Sequence, residues 1–377
     1  MSDIARSAIV HGDDAERVAA ELAATLAARD LAIAFVFADW RLDPHALAGA
    51  LHRALAPAAS VGCTTIGVVG ATPGDARPAA GALGLYGGWV RAGVGVATEL
   101  AASPLTRSRA AVERAASALG HTAMALDPAR HVAITLVDGK CGCEEAFCIG
   151  SAAAAPHVRV VGGSAATEIA SARDSFVWAN GEALAGAAVV VVLDSAVPLH
   201  AVTSSHLVGT ELRTVVTASS GRTIDELDGA PAGPRLRELL ATIGAELDEQ
   251  RPSGYSFARF VDGVPYVRSM TRVADGRIHL ASAVEPGHVL RVMRSGDLVG
   301  ATARDLATAA ARVGGTIAAL LAFSCIGRHW EASSRGLERE LAAAYARYPT
   351  TGFQSFGEQT GMLLVNHTLT GLAIGAA

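Results

Sequence analysis

The sequence has few aromatic residues and few charges, and neither sign of charge dominates. Of its 377 residues, 5% are aromatic and 18% are charged, and 31 Lys and Arg face 36 Asp and Glu, for a formal net charge of −5. A protein that binds nucleic acid needs a basic surface that neutralises phosphates. We therefore predict no nucleic-acid partner.

Signals for export and membrane insertion are also missing. Acidic and basic residues are scattered through the first thirty positions, so no uninterrupted apolar core for export is present there. The longest charge-free apolar stretches, such as Ala183–Leu193, are well short of the ~20 residues that a membrane helix needs. We predict a cytoplasmic protein with no membrane partner.

Cysteine is scarce, and its spacing gives no framework of disulfides. An odd number of cysteines without a CxxC pair, in a chain without export signals, indicates free thiols. A metal clip at Cys141 and Cys143 would need a second clip at zinc spacing, which the sequence lacks, so we predict no structural zinc. The cysteines are Cys63, Cys141, Cys143, Cys148 and Cys325.

Familiar catalytic motifs are absent as well. The sequence contains no GxSxG elbow, no P-loop and no GxGxxG after a strand, and its histidines form neither HxxxH nor HExxH. We predict that the chain is not an enzyme. A cysteine-dependent enzyme is the alternative, with Cys325 or Cys63 as nucleophile, because Arg328 follows Cys325 closely and a cation favours a thiolate. The opposing interpretation is that both cysteines are small buried hydrophobes.

Alanine-rich helices alternate with β-branched runs along most of the chain, which is the signature of an α/β protein. The length indicates two domains, and we place them at residues 1–198 and 199–377. No low-complexity linker marks the boundary, so we expect the two domains to pack together. The predicted helices are Ala15–Ala28, Pro44–Leu55, Ser108–Leu119, Pro234–Leu247, Asp305–Ala311 and Ser334–Tyr348.

A weak internal repeat predicts the architecture within these domains. Three stretches align, and they begin with AIAFVFADWRLDPHALAGAL, VAITLVDGKCGCEEAFCIGS and IAALLAFSCIGRHWEASSRG. Each is an apolar strand, a polar break, a helix and a second short strand with glycine near its end, so we predict three βαβ-like units in mixed sheets. The C-terminal half also contains alternating segments with bends at Asp275-Gly276 and Pro286-Gly287, which predict an antiparallel meander.

Ligands of open α/β sheets bind outside the carboxyl ends of the strands, so the candidate site is predicted there. Arg328 could bind a ligand carboxylate and Glu358 a ligand amine, while backbone amides at Gly62-Cys63 and Gly162-Gly163 would add donors. A buried structural histidine is the alternative for His367. The predicted ligand-binding residues are Gly62, Cys63, Thr64, Asp138, Gly162, Gly163, Ser164, Cys325, Arg328, Glu358, Asn366 and His367.

Several of these motifs together resemble the FIST family, which combines an N-terminal and a C-terminal FIST domain. The matching stretches include VGCTTIG, LVDGKCGCEEA, VRVVGGSAATE, LLAFSCIGRH and TGFQSFGEQTG followed by VNHTLTGLAIG. The resemblance covers nearly the whole chain. It identifies residues 1–198 as a FIST N domain and residues 199–377 as a FIST C domain of a stand-alone bacterial member.

The resemblance implies a sensory module that binds a small molecule, such as an amino-acid-like metabolite. The signal would pass to a separate partner, either a histidine kinase or a cyclic-di-nucleotide enzyme. We predict no cofactor. The alternative that the resemblance implies is a haem-binding nitric-oxide sensor that modulates a histidine kinase, with His367 or His329 as the axial ligand.

Overall fold

The computed structural model describes residues 4–70, 77–169, 171–248, 254–261 and 263–376. Its α-helices are α1 Ala15–Leu26, α2 Pro44–Leu55, α3 Pro104–Ala118, α4 Glu144–Ala154, α5 Ala232–Ala241, α6 Leu298–Arg312, α7 Ile326–Ser334 and α8 Glu338–Ala346. None of the helices in these ranges is long and apolar enough to cross a membrane.

Within the described residues, twenty-four strands accompany these helices. The strands up to residue 195 are β1 Ala5–Val10, β2 Leu31–Asp39, β3 Ala59–Thr65, β4 Val68–Val69, β5 Ala80–Tyr86, β6 Val90–Ala97, β7 His131–Asp138, β8 Arg159–Ala165, β9 Val177–Ala179, β10 Glu182–Leu184 and β11 Ala188–Ser195. The later strands are β12 Leu199–Ser204, β13 Val208–Ser220, β14 Thr223–Leu227, β15 Ala230–Pro231, β16 Tyr255–Val261, β17 Val264–Ala274, β18 Arg277–Leu280, β19 Val289–Arg294, β20 Ile317–Cys325, β21 Thr350–Ser355, β22 Glu358–Thr360, β23 Leu363–Val365 and β24 Leu369–Gly375.

Three parts of the chain fold in the same way. The first repeat comprises β1 to β5, the second β6 to β11, and the third β12 together with β20 to β24. In each repeat a long strand (β2, β7 or β20) pairs in parallel with the strand after its helices (β3, β8 or β21). The same long strand pairs antiparallel with the last strand (β5, β11 or β24). The predicted α/β class with repeated βαβ-like units and mixed sheets is confirmed.

The repeats also exchange short strands in a cyclic order. Strand β4 of the first repeat pairs with β21 of the third, β9 of the second pairs with β3 of the first, and β22 of the third pairs with β8 of the second. Each repeat therefore completes the sheet of another repeat. Between the sheets lies a shared apolar core. In it, the centre of the Phe353 ring lies 4.8 Å from the centre of the Phe37 ring and 5.4 Å from that of the Phe323 ring.

In each repeat, the second strand of the parallel pair has a glycine at the same position, which lets the two strands approach closely. A Cβ atom added at Gly62 would lie 1.8 Å from the carbonyl oxygen of Val36, and one at Gly352 would lie 1.7 Å from that of Ala322. In the second repeat the corresponding distance, from Gly162, is 2.1 Å. Only glycine fits such a backbone approach.

The third repeat contains a large insertion between β12 and α6. Strands β13 to β19 form an antiparallel sheet in the order β13-β19-β16-β17-β18-β14-β15. In it, β16, β17 and β18 form an antiparallel meander, whereas β19, after the predicted bend at Pro286-Gly287, pairs with β13 and β16 and not with β18. Helix α5 packs on this sheet around a separate apolar core. The domain boundary between residues 198 and 199 stays a prediction, and it falls between the last strand of the second repeat and the first strand of the third.

Candidate ligand-binding site

A group of buried polar side chains lies in the third repeat, where α7, β22 and the loop before β24 meet. We call this group the polar cluster. Its members have at most 4% of their surface exposed, which is unusual for charged residues. The polar cluster consists of His206, Thr302, Arg328, Glu331, Ser355, Glu358, Asn366, His367 and Thr368.

Two of the charged members of the polar cluster come from helix α7. The helix starts directly after β20, and its buried side chains include Arg328 and Glu331, which stand three residues apart on one face. The guanidinium of Arg328 is 0% exposed and donates a hydrogen bond of 2.6 Å to the hydroxyl of Thr302. Within the described part of the chain, Nε and Nη1 of Arg328 have no acceptor. A buried guanidinium with two unpaired donor nitrogens is energetically costly.

Glu358 is the second buried charge-bearing group near Arg328. It begins β22 and pairs with Gly163 of the second repeat. Hydroxyls of Ser355 and Thr368 lie 2.5 Å from its two carboxyl oxygens. Burial raises the pKa of Glu358 to about 8, although these hydrogen bonds and the charge of Arg328 act in the opposite direction. At neutral pH the carboxyl is therefore mainly protonated.

Glu331 accepts hydrogen bonds from two imidazoles. Nε2 of His206 lies 2.7 Å and Nε2 of His367 lies 2.9 Å from Oε2 of Glu331, and Arg335 donates to Oε1 over 2.6 Å. Burial alone would raise the pKa of Glu331, but the hydrogen bonds from His206 and His367 outweigh it and hold this pKa far below its usual range. Burial lowers the pKa of His206 to about 4 despite its bond to Glu331.

His367 reaches Glu331 from a strained backbone. Its φ of 57° lies in the left-handed region, which residues other than glycine adopt rarely. Such strain persists where the surrounding structure fixes the residue, and it concentrates at functional sites. The preceding residue, Asn366, is 0% exposed, and its Oδ1 has no partner among the described residues.

The sequence predicts free backbone amide donors at the glycine-rich strand ends of the first two repeats. The structure instead places these residues inside sheets. Strand β3 lies between β2 and β9, so Gly62, Cys63 and Thr64 are bonded within a sheet. Strand β8 lies between β7 and β22, which does the same for residues 162–164. The hydroxyl of Ser164 accepts a hydrogen bond of 2.9 Å from Gln359, the residue after Glu358. Strand β8 of the second repeat thus holds β22, the strand that carries Glu358, in place.

Asp138, another predicted site residue, stabilises the end of β7. Its carboxylate accepts hydrogen bonds from the backbone amides of Lys140 (2.9 Å) and Gly186 (2.6 Å) and from the hydroxyl of Ser175. All these partners belong to the second repeat. The contacts of Asp138 are therefore local, and none of them is with a member of the polar cluster.

Two of the free cysteines are the proposed nucleophiles, and both are buried. Burial raises the pKa of the Cys63 and Cys325 thiols well above the usual range, which makes thiolate scarce at neutral pH. Cys141 and Cys143 are partly exposed, with their sulfur atoms 3.2 Å apart. The hydrogen bond with Cys141 lowers the pKa of Cys143. The structure thus makes Cys143 more acidic than either proposed nucleophile.

The two histidines proposed as haem ligands lie in different environments. Nε2 of His367 faces the carboxylate of Glu331 inside the buried polar cluster, which does not fit a haem, since the haem macrocycle needs an apolar slot. His329 lies on α7 and is half-buried, beside Trp330, whose side chain is 43% exposed. Haem binding through His329 stays a prediction.

A separate open cleft of about 430 Å³ lies at the carboxyl end of β2, and the sequence motifs did not point to it. It is lined by residues 40–44 at the start of α2 and by residues 172–174 and 176 from the loop after β8. The guanidinium of Arg173 lies 5.6 Å from the centre of the Trp40 ring. The signal in the sequence was Trp40 itself, a large aromatic residue directly after a strand end.

These features define the class: an α/β protein of three repeats with an inserted antiparallel sheet and a buried charged cluster. The model of the FIST N domain matches residues 30–230, and that of the FIST C domain matches residues 232–360. The chain therefore belongs to the FIST family. FIST domains are sensory domains of signal transduction.

Comparison with curated proteins finds no match. Among solved structures, the chain is similar to cyanuric acid hydrolase from A. caulinodans, with 13% sequence identity over 99% of each chain and a TM-score of 0.37. At this level of similarity the comparison carries no argument about the activity of this chain.

Proposed function

We propose that this FIST protein senses a small zwitterionic metabolite of the amino-acid type, which binds in the polar cluster. The observation that carries the proposal is Arg328, a fully buried guanidinium with two nitrogens that lack acceptors in the described structure. A ligand carboxylate supplies acceptors for such donors through charge-assisted hydrogen bonds. A ligand without an anionic group would leave the buried charge uncompensated.

Glu358 supports a ligand that also carries an amine. Its carboxyl is close enough to Arg328 for that charge to oppose the rise of its pKa, yet the two residues do not form an ion pair within 4 Å. A ligand ammonium beside Glu358 would favour the ionised carboxylate. Binding at neutral pH would then release a proton from Glu358. One cation and one anion at separate positions select a zwitterion over a simple carboxylate.

The position of α7 suggests how binding becomes a signal. His206, at the entrance to the inserted sheet, contacts Glu331 of α7. Gly296, after the exit of the sheet, accepts a hydrogen bond of 3.1 Å from Arg335, the residue that follows α7. A ligand that draws Arg328 away from Thr302 would move the helix that holds both connections. The inserted sheet would then change its position and present this change to a partner, a histidine kinase or a cyclic-di-nucleotide enzyme.

A thermal-shift screen with the twenty amino acids tests the proposal. We expect at least one of them to raise the melting temperature of the wild-type protein, and we expect Arg328→Met to abolish that rise. Arg339→Met removes an exposed arginine of α8 and is the matched control, which should respond like the wild type. The same ligand-induced rise in Arg328→Met and in the control would reject Arg328 as the carboxylate site.

A further inference from the structure

Three buried side chains in the polar cluster direct ligating atoms at one point. His206 comes from the connection into the inserted sheet, Glu331 from α7 and His367 from the loop before β24. Both imidazole Nε2 atoms approach the same carboxylate oxygen, and the ligating atoms of all three residues lie within 4.8 Å of one another. We propose that His206, Glu331 and His367 bind one divalent transition-metal ion, with Zn²⁺ as the simplest occupant.

The distances fit a metal ion after a small movement. Zn²⁺ lies about 2.0–2.2 Å from imidazole nitrogen and carboxylate oxygen, so tetrahedral ligand atoms stand about 3.3 Å apart. The two nitrogens are now 2.7 and 2.9 Å from the oxygen of Glu331. Each must therefore withdraw by about half an ångström to admit the ion. Two hydrogen bonds would be exchanged for three coordinate bonds.

The chemistry of the three groups also fits. Two imidazoles and one carboxylate form a ligand set that suits Zn²⁺ and Fe²⁺ and leaves coordination positions open. Each imidazole would move its proton from Nε2 to Nδ1, so no proton need leave to the solvent. Nδ1 of His206 has no partner in the described structure and is free to take that proton.

Two arginines shape the proposed metal site. Arg335 donates to Oε1 of Glu331 and leaves Oε2 for the ion, and the Arg335 side chain is 40% exposed whereas that of Glu331 is 2% exposed. The charge of Arg328 reaches His206 and opposes a dication. A hydroxide or chloride at the fourth coordination position would offset this repulsion. The metal site does not depend on the proposed organic ligand.

The inference is tested by calorimetric titration of Zn²⁺ alone into chelator-treated, full-length protein. We expect about one ion per chain, and we expect Co²⁺ to give the intense visible absorption of a tetrahedral site. Loss of an outer-shell group costs 10–100-fold in affinity, so His206→Gln and His367→Asn should each lose more than about 100-fold. Asn tolerates the left-handed backbone of position 367, which guards against misfolding. His329→Ala is the control: it removes a histidine of α7, the helix that carries Glu331, and it should bind Zn²⁺ like the wild type.

The outcomes separate this inference from the proposed function. Arg328→Met should bind Zn²⁺ at least as tightly as the wild type, because it removes a repelling charge, although it should lose the amino-acid response. Absence of Zn²⁺ and Co²⁺ binding by the wild type would overturn the metal site outright, whatever the variants do. So would equal affinity in His206→Gln, His367→Asn and His329→Ala, because the ion would then lie elsewhere.

Discussion

Replacement of Glu358 by glutamine should remove a large pH dependence of stability. The folded protein raises the pKa of this carboxyl from 4.5 to about 8. Between these values the unfolded chain ionises Glu358 while the folded protein keeps it protonated, so wild-type stability falls as pH rises through this window. Above pH 8 the loss is complete, because both states are then ionised.

The size of the effect follows from the two pKa values. Each pKa unit corresponds to 1.36 kcal/mol, so the full difference is about 5 kcal/mol, of which about 4 kcal/mol develops between pH 5 and pH 9. Glutamine resembles the protonated carboxyl in shape and cannot ionise. Imperfect replacement of the hydrogen bonds to Ser355 and Thr368 would cost about 1 kcal/mol each, equally at every pH.

Urea denaturation of the wild type and Glu358→Gln at pH 5, 7 and 9 measures the effect. The variant should gain about 4 kcal/mol of unfolding free energy relative to the wild type between the lowest and highest pH. Glu340→Gln removes an exposed carboxylate of α8, and its difference from the wild type should stay nearly constant. A constant difference for Glu358→Gln as well would refute the argument that burial suppresses this charge.

Three further predictions concern the core, the thiols and the ligand. Gly352→Ala should destabilise the protein by about 3 kcal/mol or more, whereas Gly88→Ala, with open space around the new Cβ, should change it by less than about 0.5 kcal/mol; equal urea midpoints would contradict the close approach of the strands. Iodoacetamide at neutral pH, followed by peptide mass analysis, should label Cys143 before Cys63 and Cys325; rapid labelling of Cys325 would instead favour the cysteine-dependent enzyme. Calorimetry at pH 7 in buffers of different ionisation enthalpy should show net proton release when the amino acid binds, and release that persists in Glu358→Gln would assign the proton to another group.

The repeats could be predicted from the sequence because local patterns encode them. An apolar strand, a helix and a second strand with a glycine recur, and Gly62, Gly162 and Gly352 occupy equivalent positions in the sheets. The exchange of short strands between repeats could not be predicted. Strands such as β4 and β22 have two and three residues, and their partners lie in other repeats.

The candidate site was predictable in part. Arg328, Glu358 and His367 attract attention because charged or polar residues interrupt apolar segments. Their neighbours Thr302 and His206 give no such signal, since each meets its partner only through the tertiary fold; His206 and Glu331 are 125 positions apart. The helix prediction is also inaccurate here. One helix is predicted over Ser334–Tyr348, whereas the structure has α7, which ends at Ser334, and α8, which begins at Glu338.

The most direct test of the account is a crystal structure of the protein with the amino acid that stabilises it most. We expect the ligand carboxylate to lie within hydrogen-bond distance of Nε or Nη1 of Arg328 and the ligand amine to lie beside Glu358. Ligand bound instead in the open cleft between Trp40 and Arg173, with Arg328 still bonded only to Thr302, would contradict it.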